Sequence, residues 1–433
     1  MNLYLFNDNN IASAFGIGTY IKELVSALTL NSSNIHIHIV HLHAARPKFE
    51  IETINQIENW YLPEVCNDEI SFSSIRNIEV YCRNVLYLLR LYISENKKNL
   101  IFHFNYNHYQ LLAKELKAFF DCKIVTTIHF VKWMLDLQGN HSLFQTIKTK
   151  HENQLSTFEK SIITTDEYES LLYQEVDKVI ALSWEMKSFL CSEYLLEPDK
   201  ISVVPNGLND TNCSGFRSQV SGLSVNTVIN LQKKWHISEN ESVIIFVGRL
   251  HTVKGVKYLI RAFRKVLEQM PDCRLMIAGS GNFDIYMTEA KDICTKITFT
   301  GLLEKQALYE LYQMANIGVM PSFHEQCSYV AIEMMMHGVP LIASTSTGLK
   351  EMVEDGVTGL HIPVIEYNDS AEIDTDLLAE KMLFLLQNPD ERQRMGANAR
   401  KRYMEKYSST AFGANMIAFY ESLFRDNKHK SSL

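Results

Sequence analysis

Short apolar runs alternate with amphipathic helical stretches along almost the whole chain, and this alternation constrains the fold more than any other feature. Runs of this length, bounded by turn residues, are typical of buried strands. Strands that alternate with helices indicate a parallel sheet covered by helices on both faces. The predicted strands are residues 2–6, 35–41, 99–104, 123–128, 177–181, 201–204, 243–247, 273–278, 297–299, 317–320, 340–343 and 359–362.

The alternation is interrupted once, after the Val-Val-Pro-Asn-Gly segment at 203–207. The stretch that follows is polar and rich in turn residues, as expected of a linker. A chain of 433 residues is also too long for one ordinary core. We therefore predict two doubly wound α/β domains, at 1–208 and 239–406, with a linker at 209–238 and a last helical segment at 407–433.

Charge and composition narrow the class of protein. The formal net charge is −8 and neither half of the chain is basic, which argues against a nucleic-acid partner and allows only weak peripheral contact with a membrane. No apolar run approaches the roughly 20 residues of a membrane span, and the first residues resemble a strand rather than a signal peptide. The eight cysteines form no Cys-x-x-Cys pair, so no zinc or redox motif is indicated and a cytoplasmic location is favoured.

Two glutamates stand eight positions apart where a predicted strand gives way to a predicted helix. The strand is 317–320, and the helix is 329–336 with Ser328 as its N-cap. At about 100° per residue, Glu333 lies within about 80° of the side that Glu325 faces. Both carboxylates can then address one polyhydroxylated ligand at the carboxyl end of a sheet. The alternative is two unrelated surface glutamates.

A second candidate site follows the strand at 243–247. This strand ends at Gly248, and a helix begins near Lys254. Arg249 and Lys254 therefore lie beside a helix N-terminus at the mouth of the sheet, an arrangement suited to a diphosphate. The alternative is that both are solvated surface cations.

Weaker signals mark the ends of other predicted strands. Gly279 lies in a glycine-rich turn of the kind that lets a ligand approach the backbone. Gly16 and Gly18 follow the first strand, where backbone amides can face an anion. His129 ends a further strand and is either an exposed site residue or a hydrogen-bonded core histidine.

An aromatic and asparagine cluster at 102–109, with Asn105 and Tyr106 at its centre, is suited to stacking on a sugar, a lipid-linked glycan or a peptide. The alternative is that most of these side chains belong to the core, and His103 is best explained as structural. The Asp-Thr-Asp sequence at 374–376 resembles the Asp-x-Asp that holds a metal in one class of sugar transferase. It directly precedes a helical pattern, however, and we interpret it as a helix cap.

Taken in order along the chain, these motifs resemble glycosyltransferase family 4, whose members are retaining sugar-nucleotide transferases with the GT-B fold. The resemblance is strongest over about 240–365 and looser toward the N-terminus. Two departures stand out: Gln326-Cys327-Ser328 replaces the usual Pro-Phe-Gly, and Thr347-Gly348 replaces the usual Gly-Gly. The motifs that carry it are Gly248-Arg249-Leu250-x3-Lys254-Gly255, Ala278-Gly279-Ser280-Gly281, Glu325-x7-Glu333, Gly338-Val339-Pro340 and Gly348-x2-Glu351-x4-Gly356-x2-Gly359.

The resemblance implies an α/β GT-B architecture, in which two Rossmann-like doubly wound domains face each other across a cleft. The last helix would cross back to the first domain. Donor contacts would divide by chemistry, with Arg249 and Lys254 on the diphosphate, Glu333 on the ribose and Glu325 on the transferred sugar. The implied catalytic residues are Glu325, His129, Arg249 and Lys254; the donor-binding residues are Gly16, Gly18, Gly248, Arg249, Lys254, Gly279, Ser328, Tyr329, Val330 and Glu333; the acceptor residues are Asn105 and Tyr106.

The predicted function is transfer of a hexose-type sugar from a nucleoside-diphosphate sugar to an unidentified glycan, lipid-linked sugar, peptide or small molecule. Neither metal nor cofactor is expected, because cations and helix amides can stabilise the leaving diphosphate. Two alternatives remain: another GT-B enzyme, such as a sugar-nucleotide epimerase or a phosphorylase, and a catalytically silent sugar-nucleotide-binding protein. The sequence does not indicate the nucleotide, the linkage formed or the oligomeric state.

Overall fold

The structure, a computed structural model, describes residues 1–9, 16–32, 34–64, 75–94, 97–210 and 225–425. The chain forms two units. The first contains Met1–Val131, Thr157–Gly207 and the segment that begins at Ser409, and the second contains Lys132–Ser156 and Leu208–Ser408. The short segment at 132–156 therefore packs with the second unit, although the sequence analysis groups it with the first domain.

The first unit is built on one eight-stranded sheet in the order β3-β4-β2-β1-β5-β6-β7-β8. All neighbours are parallel except β3 and β4, which form an antiparallel hairpin. The central strand β5 is buried along its whole length, as a parallel strand covered on both faces must be. The strands are β1 (Asn2–Asp8), β2 (His36–Ala44), β3 (Glu50–Ile54), β4 (Ile57–Pro63), β5 (Leu100–Phe104), β6 (Cys122–Ile128), β7 (Lys178–Ala181) and β8 (Ile201–Val203).

The second unit is built on a six-stranded parallel sheet and a separate antiparallel pair. The six strands run in the order β11-β10-β9-β12-β13-β14, and the pair is β15-β16. Every strand predicted from the sequence is present in one of the two sheets, with ends that differ by a few residues at most. The strands are β9 (Ser242–Val247), β10 (Cys273–Ala278), β11 (Ile297–Gly301), β12 (Ile317–Met320), β13 (Leu341–Ser344), β14 (Gly359–Ile362), β15 (Val364–Glu366) and β16 (Ala371–Ile373).

Helices connect the strands and cover the sheets. In α9, for example, apolar residues at helical spacing (Val256, Leu259, Ile260, Phe263) are fully buried in the core of the second unit. The helices are α1 (Gly16–Asn31), α2 (Ile75–Tyr92), α3 (Gln110–Phe119), α4 (Lys132–Asp136), α5 (His141–Thr149), α6 (Thr157–Glu175), α7 (Trp184–Glu193), α8 (Val225–Trp235), α9 (Val256–Gln269), α10 (Asp284–Glu289), α11 (Lys305–Met314), α12 (Tyr329–Met336), α13 (Thr347–Met352), α14 (Thr375–Gln387), α15 (Pro389–Arg402) and α16 (Ser409–Ser422).

The last helix, α16, packs against α1 and β5 of the first unit. The Tyr420 hydroxyl lies 2.7 Å from Nδ1 of His103, and the ring of Phe412 lies 5.7 Å from that of Tyr20. His103 is fully buried, and its Nε2 lies 2.7 Å from the Thr127 hydroxyl, so both ring nitrogens are bonded. Over the described ranges, no helix combines the length and apolar character that a bilayer crossing needs.

Candidate active site

The second sheet has a switch point between β9 and β12. The chain builds outward from β9 through β10 to β11, and then from β12 through β13 to β14 on the other side. Open α/β sheets bind ligands outside the carboxyl ends of the strands at such a point. The segments that leave it are 248–255, after β9, and 321–328, after β12, and they hold the predicted site residues Gly248, Arg249, Lys254, Glu325 and Ser328.

A glycine allows these two segments to approach each other. Gly255, the N-cap of α9, has a φ of 67°, and a Cβ at this position would lie 1.9 Å from the carbonyl oxygen of Pro321. Only a residue without a side chain fits. The approach places Lys254 against Glu325, and its Nζ donates to Oε1 of that carboxylate. Both side chains are largely buried, with 17% and 15% exposed, so the pair is shielded from water.

The loop that carries Glu325 packs against the start of α13. The backbone N–H of Gly348 donates to the carbonyl of Glu325 at 2.7 Å. A Cβ at Gly348 would lie 1.6 Å from the carbonyl oxygen of Gln326, so any larger residue must displace this loop. The retained glycine of the altered Thr347-Gly348 motif is therefore a packing requirement of the Glu325 loop.

A buried histidine lies next to Glu325. Nδ1 of His324 is 3.2 Å from the Thr347 hydroxyl, and the Gln326 amide nitrogen is 3.5 Å from Nε2. Burial, with a smaller effect of Lys254, lowers the pKa of His324 to about 3, so the ring is neutral. Sequence reasoning missed this residue, and the only available signal was its position beside Glu325.

Arg249 differs from Lys254 in its contacts. It is exposed, and among the residues that the structure describes its guanidinium has neither a hydrogen bond nor an ion pair. Between the two cations, Nδ1 of His251 accepts the Val253 N–H at 3.3 Å. Burial, followed by the charges of Arg249 and Lys254, lowers the pKa of His251. The loop therefore presents one uncommitted cation and one that is neutralised by Glu325.

Helix α12 supplies the second glutamate. Its N-cap is Ser328, as predicted, and the Ser328 hydroxyl accepts the Ala331 N–H at 3.4 Å. Tyr329 and Val330 begin the helix, and the first amides of a helix point out of its N-terminal end.

Glu333, one turn further along α12, is held by a residue that sequence reasoning missed. Its Oε2 accepts the hydroxyl of Tyr312 at 3.0 Å, and Tyr312 is fully buried. One carboxylate oxygen is thus oriented from within the core of the second unit.

Gly248 and Gly279 lie side by side at the ends of β9 and β10. The Gly248 N–H donates to the carbonyl of Ala278 at 3.0 Å, and the Gly279 N–H donates to the carbonyl of Gly301 at 2.9 Å. Both residues continue the ladder at the carboxyl edge of the sheet. Their contact with a donor stays a prediction.

The segment at 132–156 also reaches this edge of the second sheet. Asn140 is fully buried; its amide nitrogen donates to the carbonyls of Tyr367 and Ser370, each at 2.7 Å, and its Oδ1 accepts the Leu143 N–H at 2.9 Å. The negative charge of Asp136, on α4, raises the pKa of His251 against the larger lowering effects described above. Sequence reasoning assigned no site role to this segment.

The first sheet has its own switch point, between β1 and β5, and the structure brings Asn105 and His129 together there. Nε2 of His129 lies 3.1 Å from Oδ1 of Asn105. Tyr106 is 2% exposed, and its hydroxyl donates to Oδ1 of Asn7 at 3.3 Å and the carbonyl of Asp8 at 3.4 Å. Asn105 is 1% exposed, so both predicted acceptor residues are bonded within the unit. Their contact with an acceptor stays a prediction.

A carboxylate that sequence reasoning missed lies at the same edge. Asp8 is 5% exposed and accepts the Tyr109 hydroxyl at 2.7 Å, while Nε2 of His108 lies at 3.2 Å. Burial alone would raise the pKa of Asp8, but the hydrogen bonds from His108 and Tyr109 outweigh it, and the pKa is lowered. The carboxylate is thus ionised and held in place.

The predicted glycines of the first unit lie at the start of α1. Gly16 is its exposed first residue, and Gly18 is partly buried. Residues 10–15, which include Phe15 of the predicted glycine motif, lie outside the described residues.

The Asp-Thr-Asp sequence forms a helix cap, as predicted. Oδ1 of Asp374 accepts the N–H groups of Asp376 and Leu377 at 2.8 and 3.1 Å, at the start of α14. Across the part of the chain that the structure describes, no group of His, Cys, Asp and Glu side chains has an arrangement suited to a metal ion.

Two family models match the chain. Residues 15–212 match the model described as "Glycosyltransferase Family 4", and residues 228–402 match the one described as "Glycosyl transferases group 1". An uncharacterized glycosyltransferase of Methanocaldococcus jannaschii is 32% identical over 259 residues, which cover 58% of this chain and 62% of that protein. The first curated relatives are matched over only 47% to 62% of their own length.

Solved structures resemble the whole chain. Sucrose-phosphate synthase of Thermosynechococcus elongatus has a TM-score of 0.72 and 20% identity, and the match covers 98% of this chain and 99% of that one. Anabaena HepE, solved in complex with UDP and glucose, has a TM-score of 0.68 and 13% identity over 98% of this chain and 100% of its own. At these identities the likeness shows the fold, which is the α/β fold of GT-B glycosyltransferases with two parallel sheets.

Proposed function

Because the chain belongs to the group 1 and family 4 glycosyltransferases, we propose that it transfers a hexose-type sugar from a nucleoside-diphosphate sugar to an acceptor hydroxyl, with retention of anomeric configuration. One observation carries this proposal. At the switch point between β9 and β12, the uncommitted Arg249 lies in the same loop as Lys254, whose partner is Glu325. Cations beside a carboxylate at this point suit a ligand that joins a diphosphate to a polyhydroxylated sugar.

Each part of the donor is bound by a different set of residues. Arg249 and Lys254 bind the diphosphate, aided by the N-terminal amides of α12. Glu333 accepts the ribose hydroxyls, and its fixed Oε2 supports this role. Glu325 accepts hydroxyls of the transferred sugar once the diphosphate competes for Lys254.

The first unit contributes neutral groups to the reaction. His129 contacts the transferred sugar, and Gly16 and Gly18 at the start of α1 approach the phosphates, as the family resemblance implies. The acceptor binds at the carboxyl edge of the first sheet, close to Asn105 and Tyr106.

The reaction proceeds on one face of the sugar. The bond from the anomeric carbon to the diphosphate oxygen breaks as the acceptor oxygen forms its bond on the same face, and the acceptor proton passes to the departing phosphate oxygen. Positive charge at Arg249 and Lys254 stabilises the charge that develops on the leaving group. No divalent metal is required, because protein cations neutralise the diphosphate.

UDP-sugars are the first donors to test, since the Anabaena HepE structures are described as complexes with UDP, glucose and UDP-glucose. The experiment follows release of nucleoside diphosphate from UDP-glucose and other hexose donors by purified protein, in excess chelator, with and without candidate acceptors. We expect slow release without acceptor, faster release with one, and a product that keeps the donor's anomeric configuration. Binding without any release would indicate a catalytically silent protein, and an inverted product would contradict the proposed mechanism.

A further inference from the structure

The orientation of the Asn105 side chain is determined by a backbone group. The atom 3.1 Å from the carbonyl oxygen of Phe6 must be the amide nitrogen, because a carbonyl only accepts hydrogen bonds. A flipped amide would place two acceptors against each other inside the core. The amide oxygen of Asn105 therefore faces Nε2 of His129, 3.1 Å away.

This contact determines which nitrogen of His129 carries the proton. An amide oxygen only accepts, so Nε2 of His129 must donate. Burial lowers the pKa of His129 to about 3, and the ring is neutral with a single N–H. Nδ1 therefore holds a lone pair and can only accept a hydrogen bond.

The lone pair of Nδ1 is available to a ligand. The His129 side chain is partly exposed, and among the described residues Nδ1 has no hydrogen-bond partner. The His129 ring packs against that of Tyr20 in a T-shaped arrangement, with centroids 4.6 Å apart and planes 73° apart. The hydroxyl of Tyr20 is in turn bonded to that of Thr127 at 3.2 Å, so the plane of the imidazole is held as well.

We propose that Asn105 is a positioning residue that holds His129 in the Nε2–H tautomer, so that Nδ1 accepts a hydrogen bond from a hydroxyl of the transferred sugar. This inference rests on the proposed function, in which His129 contacts that sugar. It gives Asn105 a role through His129 in place of direct contact with an acceptor. It also makes His129 an acceptor for a neutral hydroxyl and excludes it as a proton donor at neutral pH.

The tautomer can be measured in the free protein without substrate. Long-range ¹H–¹⁵N spectra of ¹⁵N-histidine-labelled protein distinguish Nε2–H from Nδ1–H rings, and comparison with His129→Gln identifies the His129 signals. We expect the Nε2–H pattern in the wild type at pH 7.5. A predominant Nδ1–H pattern, or a doubly protonated ring, would overturn the proposal.

Two variants and a matched control test the role of Asn105. Asn105→Ala should give a mixture of tautomers and roughly 10-fold slower transfer with unchanged affinity for UDP. Asn105→Asp retains an acceptor for Nε2–H and should keep that tautomer, although its second oxygen faces the Phe6 carbonyl and should lower the thermal stability. The control is Asn107→Ala, because Asn107 is a buried amide that bonds the carbonyl of Phe130 and the carboxylate of Glu169 without touching a histidine.

The outcomes separate this inference from the proposed function. An unchanged His129 tautomer in Asn105→Ala, or the same change in Asn107→Ala, would reject the positioning role. If the tautomer is as stated but His129→Gln transfers sugar at the wild-type rate, the contact with the sugar is rejected. Failure of the wild type to turn over any donor would reject the proposed function and leave the spectroscopic result intact.

Discussion

The carboxyl edges of the two sheets differ in how their polar groups are arranged. The second sheet presents charged groups, with an exposed Arg249 and an ion pair of Lys254 and Glu325. The corresponding edge of the first sheet presents His129 as a neutral ring bonded to the amide of Asn105. The second edge therefore holds an exposed cation and an ion pair whose charge can be redistributed when a ligand binds. At the first edge the neutral His129 and Asn105 bond each other, and the charged group, Asp8, is buried and already bonded to Tyr109.

This difference matches the two halves of the proposed reaction. A leaving diphosphate gains negative charge as its bond breaks, and cations in a partly desolvated site stabilise that charge best. Hydroxyls of the sugar and the acceptor stay neutral until late in the reaction. Neutral hydrogen-bonding groups in fixed orientations select the correct hydroxyl better than mobile charged side chains do. The two cations of the second unit differ in a similar way: Arg249 has no ion-pair partner among the described residues, whereas Lys254 is paired with Glu325.

Removal of the uncommitted cation should have the largest effect. Arg249→Ala is expected to lower the transfer rate by about 100- to 1000-fold and the affinity for nucleoside diphosphate by about 10- to 150-fold, because a charge-assisted contact to the leaving group is lost. Steady-state kinetics and calorimetry with UDP measure the two effects. Lys257→Ala, which removes an exposed cation of the same unit, should leave both near the wild-type values.

The Gly348→Ala variant tests the support beneath Glu325. The added Cβ would overlap the carbonyl of Gln326, so the loop must move, and displacement of a catalytic group by about 1 Å can cost about 100-fold in rate. Transfer should fall by roughly that factor while UDP affinity changes little, since Arg249 lies in a different loop. Thermal unfolding shows whether the fold survives. Wild-type turnover in a folded variant would show that the Glu325 loop tolerates the shift.

The sequence predicted the strands, and the loops that we propose bind the donor, from local signatures. Apolar runs bounded by glycine and proline mark the buried strands, and motif spacing marks the residues around Arg249 and Glu325. The hairpin of β3 and β4 was missed for a local reason. Its turn places Asn55 and Gln56 at φ values of 52° and 67°, as a type I′ turn requires, but glutamine replaces the glycine that usually signals it.

Long-range features had no such signature. The pairing of Lys254 with Glu325 joins residues 71 positions apart, and Asn140 bonds carbonyls 227 and 230 positions away. Nothing in the local pattern of 132–156 indicates that it packs with the second unit. The tautomer of His129 likewise depends on Asn105 and Phe6, which only the fold brings together.

Because His103 is buried as a neutral ring, we expect the protein to lose stability in acid. The pKa of His103 is lowered to about 3 by burial, below the ordinary value of 6.5, so the unfolded chain binds the proton more tightly. Stability from this group is complete above about pH 6.5 and declines as the pH falls toward 3; at pH 5 the loss is about 2 kcal/mol.

Thermal unfolding between pH 8 and pH 5 measures this loss. The matched variant is His103→Gln, which can keep hydrogen bonds to Thr127 and Tyr420 but cannot titrate. It should be less sensitive to acid than the wild type. An equal pH dependence in both proteins would assign the loss to other groups.

Substitution of Glu325 and of Glu333 should change the affinity for UDP in opposite directions. Glu325→Gln removes the charge that neutralises Lys254, so UDP should bind as tightly as in the wild type or up to about fivefold more tightly, while transfer slows. Glu333→Gln should instead weaken UDP by roughly 10-fold, because it loses a charge-assisted bond to ribose. Equal weakening in both variants would contradict this division of roles.

The smallest expected effect concerns the hydroxyl behind Glu333. Tyr312→Phe leaves the ring in place and removes only the hydrogen bond to Oε2, so UDP affinity should fall by about fivefold, corresponding to about 1 kcal/mol. If Tyr312 acts through the carboxylate, its effect should largely disappear in a Glu333→Gln background, because residues in one hydrogen-bond network are not additive. It should also shrink for 2′,3′-dideoxy-UDP, which lacks the ribose hydroxyls. Full additivity with Glu333→Gln, or an undiminished effect on the dideoxy nucleotide, would mean that Tyr312 supports the helix rather than ribose recognition.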